Sequence, residues 1–164
     1  MSENAKPENE AILRQKIKVL LYLFIFGLII SGLTAFPIET QLQFAVQHLS
    51  AFPNFIQPWL QTVYEAIKTT NANYPFLSYG TDWLAFAHLV IAVAFIGPLR
   101  DPVKNIWVIE FGMIACIMVI PLALIAGHIR EIPIYWRIID CSFGALGILP
   151  LYYCFRLIKC LEIH

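Results

Sequence analysis

Apolar residues in this chain gather into four long stretches, set apart by polar, turn-rich or amphipathic segments. The first runs from about Val19 to Phe36, VLLYLFIFGLIISGLTAF. As an α-helix it rises about 27 Å, enough to cross the hydrocarbon core of a bilayer. The second covers about Asp82–Leu99 and is expected to stop at Gly97-Pro98. The third covers Asn105–Ala126, with Pro121 a predicted kink. The fourth covers Tyr135–Leu157, with Pro150 a second kink candidate. Trp83, Trp107, Tyr135, Trp136, Tyr152 and Tyr153 fall near the predicted ends, as an aromatic belt would.

Between the first two stretches, residues 37–80 carry a different pattern. Ile38, Leu42, Ala45, Val46 and Leu49 recur at helical spacing. Ile56, Trp59, Leu60, Val63 and Ile67 form a second stripe, with Pro58 suited to a first helical turn. Gln, Thr and Glu fill the other faces. This predicts two short amphipathic helices lying at a membrane surface. The fold class that follows is an all-α integral membrane protein: a four-transmembrane-helix bundle with two interfacial helices between spans one and two. Residues 1–16 read as a polar cytoplasmic tail, and 17–164 as a single membrane domain.

Composition agrees. The 164 residues are 59% hydrophobic and 13% charged, against about 45–50% and about 25% in soluble domains. A cleaved signal peptide is the rival reading of the first stretch. That stretch is long for a signal and no A-x-A site ends it, so a retained helix is expected. Formal net charge is zero, and no basic block tracks a phosphate backbone, so no nucleic-acid partner is expected. The four cysteines form no CxxC pair and read as small core residues.

Eight of the eleven lysines and arginines fall on one side of this topology: Lys6, Arg14, Lys16, Lys18, Arg100, Lys104, Arg156 and Lys159. The positive-inside rule then places both termini in the cytoplasm, and in a bacterium the inner membrane is the site. The opposite, outer end collects the candidate chemistry. His88, His128, Arg137 and Asp140 fall just inside the apolar stretches, and Asp82, Arg130 and Glu131 at their rims. Lipid tolerates such groups poorly, so a one-sided cluster marks a candidate site.

In that site His88, His128 and Asp140 are the candidate catalytic groups, with Asp82, Arg130 and Arg137 binding a ligand. Histidine suits a general base near neutral pH, and arginine suits a lipid phosphate. Arg137 and Asp140 are three apart and are expected to pair; Arg130 with Glu131, and Glu110 with Arg156, are further expected pairs. His48, His88 and His128 would make a legal zinc inventory, and His88 with His128 a haem pair. No HExxH or HxxxH supports the zinc reading, and unequal depth weakens the haem reading, so no cofactor is favoured. Motifs of NTPases, dehydrogenases, kinases, rhomboid-type proteases and disulfide enzymes are absent.

The function these residues point to is binding, with modification as an extension, of a lipid-like or quinone-like amphiphile at an outer-leaflet-side pocket. The alternative is a non-catalytic assembly subunit whose polar cluster fixes helix packing. Membrane lipids are the expected partners, together with a second copy or another membrane protein. For that alternative, Gly27, Gly32, Gly112, Gly144 and Gly147 offer close helix approach.

Overall fold

A computed structural model describes residues 5–163 of the chain. The described residues form helices joined by short connections, with no strand: α1 (Ala5–Ala35), α2 (Ile38–Gln47), α3 (Gln57–Asn73), α4 (Tyr79–Ala94), α5 (Ile96–Arg100), α6 (Ile106–Ile129) and α7 (Ile134–Ile163). Short 3-10 turns at Leu49–Ala51 and Pro75–Leu77 precede α3 and α4. Four segments are long and apolar enough to cross a membrane: Asn9–Ala35, Pro75–Arg100, Ile106–Ile129 and Ile134–Glu162. Only 17–22% of each apolar window is buried inside the protein. Most of the apolar surface therefore faces outward, as lipid-exposed helices require.

The boundaries differ from expectation at two places. Helix α1 begins at Ala5, within the polar run and well before the apolar stretch at Val19. Residues 1–4 of that expected tail lie outside the described residues. Good helix formers fill the run, and Arg14 pairs with Glu10 one turn back at 2.8 Å, a spacing that supports a helix. Gly97-Pro98 also does not stop the second span. The helix breaks at Phe95 and restarts as α5. Pro98 sits in the first turn of α5, where helical N–H groups have no partner to lose. Pro121 and Pro150 lie within α6 and α7, which continue through them.

Two compact units make up the chain. The smaller is Gly27–Ile91; the larger is the chain up to Phe26 together with Ala92 onward. In the smaller unit, α2 and α3 occupy the two amphipathic stripes, and Pro58 stands in the first turn of α3. A chain of side-chain hydrogen bonds holds them. The Asn71 amide donates to the Glu39 carboxylate, and the Ser78 hydroxyl donates to the Asn71 carbonyl oxygen. Those bonds tie α2, α3 and the start of α4. Within the same unit α1 and α4 approach closely at Gly32. A Cβ there would stand 2.8 Å from the Ala85 carbonyl oxygen and 3.2 Å from the His88 Cβ.

In the larger unit the core lies toward the lysine- and arginine-rich end. Ile17, Leu21, Phe95, Ile109, Leu151, Cys154 and Ile158 are each at most 1% exposed. The Phe24 ring lies tilted against that of Phe95, with centroids 4.7 Å apart. The helices α6 and α7 run against each other along a seam of glycines. A Cβ on Gly112 would meet Phe95 Cζ at 2.8 Å and Leu151 Cδ1 at 2.9 Å, and one on Gly144 would press on the Cys116 carbonyl oxygen. Gly27 has open space around it within the chain.

Candidate functional site

Four residues, Arg130–Pro133, join α6 to α7. The Ile132 N–H donates to the Gly127 carbonyl at 2.9 Å and the Glu131 N–H to the His128 carbonyl at 3.1 Å. These are the two crossed bonds of a Schellman C-cap, whose pivot residue must be left-handed. Here the pivot is Glu131, at φ 57°, the one non-glycine residue with positive φ among those described. Pro133 then prevents helix continuation, and its carbonyl accepts the Arg137 N–H as α7 starts. The turn thus fixes where the first side chains of α7 land on the end of α6.

Arg137 lands across Gly127. A Cβ on Gly127 would be 2.6 Å from Arg137 Cδ and 2.7 Å from its Cγ, so only glycine leaves room for this side chain. The guanidinium Nη1 donates to the Leu124 carbonyl at 3.4 Å, a long bond near the negative end of the α6 dipole. Its Nε is buried with no partner. The expected ion pair with Asp140 is not formed. The ion pairs among the described residues are Arg14–Glu10, Lys104–Asp101 and Lys159–Glu162. The expected Arg130–Glu131 pair is likewise absent among the described residues. Glu110–Arg156 is not formed either; Arg156 donates instead to the Tyr152 hydroxyl at 3.4 Å.

Asp140 is half-buried and has no ion partner among the described residues. It lines a groove of about 260 Å³ together with Arg130, its walls made by Val119, Leu122, Ala126 and Ile132. The groove is mostly apolar, with one carboxylate and one guanidinium as its charged groups. Gly127 forms part of its lining, which places Arg137 directly beside it. His128, in the last turn of α6, is exposed and does not line the groove.

Asp82 and His88 belong to the smaller unit, and His128, Arg130, Arg137 and Asp140 to the larger. Asp82 lies in the first turn of α4, where a carboxylate is favoured by the helix dipole. The His88 Nδ1–H donates to the Leu84 carbonyl at 2.8 Å. A carbonyl can only accept, so a neutral ring keeps its lone pair on Nε2. His48 does the same with the Phe44 carbonyl at 2.9 Å, and its ring lies 4.3 Å from that of Phe44. No group of three or more His, Cys, Asp or Glu side chains able to hold a metal occurs among the described residues.

Two parts of the site escaped the sequence. Gly127 reads as an ordinary small residue, and only the passage of Arg137 over it shows its role. Glu131 reads as a loop charge, although HIRE followed by I-P is a recognisable helix stop. Compared with known proteins, the chain matches no protein family, no curated sequence and no solved structure.

Proposed function

We propose that this chain is a multi-pass membrane protein that binds a lipid-like or quinone-like amphiphile in the α6–α7 groove. One observation carries the reading. An unpaired carboxylate and a guanidinium share the rim of a groove whose remaining lining is apolar. That is the arrangement of a site recognising one polar head on an apolar body. A volume of about 260 Å³ suits a ring or a headgroup rather than a whole lipid. Binding is favoured over modification, because neither His88 nor His128 lines the groove. The charge pattern supports both termini in the cytoplasm, with the groove and the α2–α3 pair at the outer face. A bacterial inner membrane fits this orientation.

Native mass spectrometry of the protein released in mild detergent tests the reading. A discrete small-molecule mass should remain bound to the wild type and be lost in Asp140→Asn and Arg130→Gln, with helicity retained. A bare polypeptide from the wild type would refute it and favour the alternative, a non-catalytic assembly subunit. That second reading draws support from the glycine seam, which makes tight helix packing the main business of α6 and α7. Orientation is checked separately: single cysteines at Gln43 or Gln61 in a cysteine-free background should label from outside intact cells. Labelling only after lysis would invert the topology.

A further inference from the structure

A second concavity lies at the opposite end of the larger unit. It has a volume of about 80 Å³ and is flanked by three cations, Arg14 and Lys18 from α1 and Arg100 from α5. Ile17, Pro98 and Leu99 form its apolar wall. Topogenic lysines and arginines need only lie on the correct side of the membrane; nothing requires them to converge on a cleft. Their charges are also unevenly matched. Arg14 is held by Glu10 at 2.8 Å. Asp101, the carboxylate next to Arg100, is turned to Lys104, its ion-pair partner at 3.3 Å. Lys18 and Arg100 are left without an ion partner among the described residues.

We propose that this cleft binds the phosphate of an anionic lipid headgroup. Three points select that ligand. The cleft is small, about 80 Å³, which favours a compact anionic group. Two uncompensated cations with a third alongside suit a phosphate oxygen set, the guanidinium in particular. The position selects a lipid over free phosphate. Lys18, Tyr22 and Phe26 follow at four-residue spacing on one face of α1, and Tyr22 and Phe26 are 60% and 63% exposed. A headgroup in the cleft would lay its acyl chain along that stripe. The inference rests on membrane insertion, not on the α6–α7 groove.

The test uses full-length protein in detergent, offered phosphatidylglycerol and phosphatidylcholine with identical chains in equal amounts, and native mass spectrometry of the lipids retained. Wild type should retain phosphatidylglycerol preferentially. In Lys18→Gln/Arg100→Gln the preference should fall by about tenfold or more, and Lys18→Arg/Arg100→Lys should keep it. Asp140→Asn should leave it unchanged, which separates this site from the groove. Equal retention of the two lipids by wild type, or an undiminished preference in the glutamine variant, would overturn the proposal. So would displacement of phosphatidylglycerol by inorganic phosphate at equal concentration, which would make free phosphate the ligand. If the double variant loses helicity, Lys18→Gln alone decides, since Lys18 is exposed and its loss does not disturb the core.

Discussion

Gly144→Ala should be the most damaging single-methyl change in the chain. The added Cβ would press on the carbonyl oxygen of Cys116, which is backbone and cannot rotate aside. The two helices would have to separate along the seam they share. Two terms oppose each other. Alanine improves helix propensity over glycine by about 1 kcal/mol. Overfilling a packed site costs about 1–3 kcal/mol, and a backbone obstacle argues for the upper end of that range. The net loss expected is about 2 kcal/mol. Gly27→Ala is the matched control, because nothing lies within 4 Å of its added Cβ. There only the propensity term acts, so stability should hold or rise by up to about 1 kcal/mol. Gly147→Ala should fall between, since its contact, 3.1 Å, is with the Cys116 Sγ, a side-chain atom able to shift. Unfolding by SDS in dodecylmaltoside micelles, followed by circular dichroism, would rank the three. The reasoning fails if Gly144→Ala unfolds at the same SDS fraction as Gly27→Ala, or at a higher one.

Glu131→Gly should stabilise the α6–α7 turn by about 0.5–1 kcal/mol, because a left-handed residue with a Cβ costs about 1–2 kcal/mol and glycine returns part of that as entropy; an unchanged or lower unfolding midpoint would refute it. Gly127→Ala should destabilise the wild type but not Arg137→Ala, since the clash is with the Arg137 side chain; additive effects in the double-mutant cycle would show the contact to be unimportant. The Lys104 backbone N–H, donating to the Asp101 carboxylate at 3.1 Å, holds its pKa below the usual 3.8, with the Lys104 ammonium adding to the effect. A carboxylate depressed on folding adds stability above its unfolded value and loses it as pH falls through the lower folded value. The Lys104 amide resonance should therefore titrate with a midpoint below 3.8, and a midpoint at or above 3.8 would refute the contact.

The helices were legible because they rest on periodicity and length, which a sequence displays directly. The stripe Ile56–Ile67 located α3, and the run from Tyr135 located α7. The ends were less legible. Glu10 and Arg14 look polar when counted and helical only when paired. Pro98 looks like a terminator until the break at Phe95 supplies a first turn to hold it. The expected Arg137–Asp140 pair shows a different limit. Spacing placed Arg137 and Asp140 on one face of α7, but spacing cannot see that Gly127 opens a path for Arg137 across the neighbouring helix. The basic cleft was read only as a topology signal, because the convergence of Arg14, Lys18 and Arg100 depends on how α5 lies against α1.

The α6–α7 turn also bears on the order in which the protein assembles. Its two helices are joined by four residues, so the entropy lost in bringing them together is small. At the turn the contacts are close in sequence, Gly127 meeting Arg137, and such local contacts form fastest. The hairpin carries its own closing hydrogen bonds and its own glycine fit, Gly127 to Arg137 and Gly144 to Cys116. A pair of apolar helices with these properties can enter a bilayer as one piece, its turn already set, before the remainder of the chain has found its contacts. The turn centred on Glu131 then bears on when the hairpin closes, besides how firmly it holds.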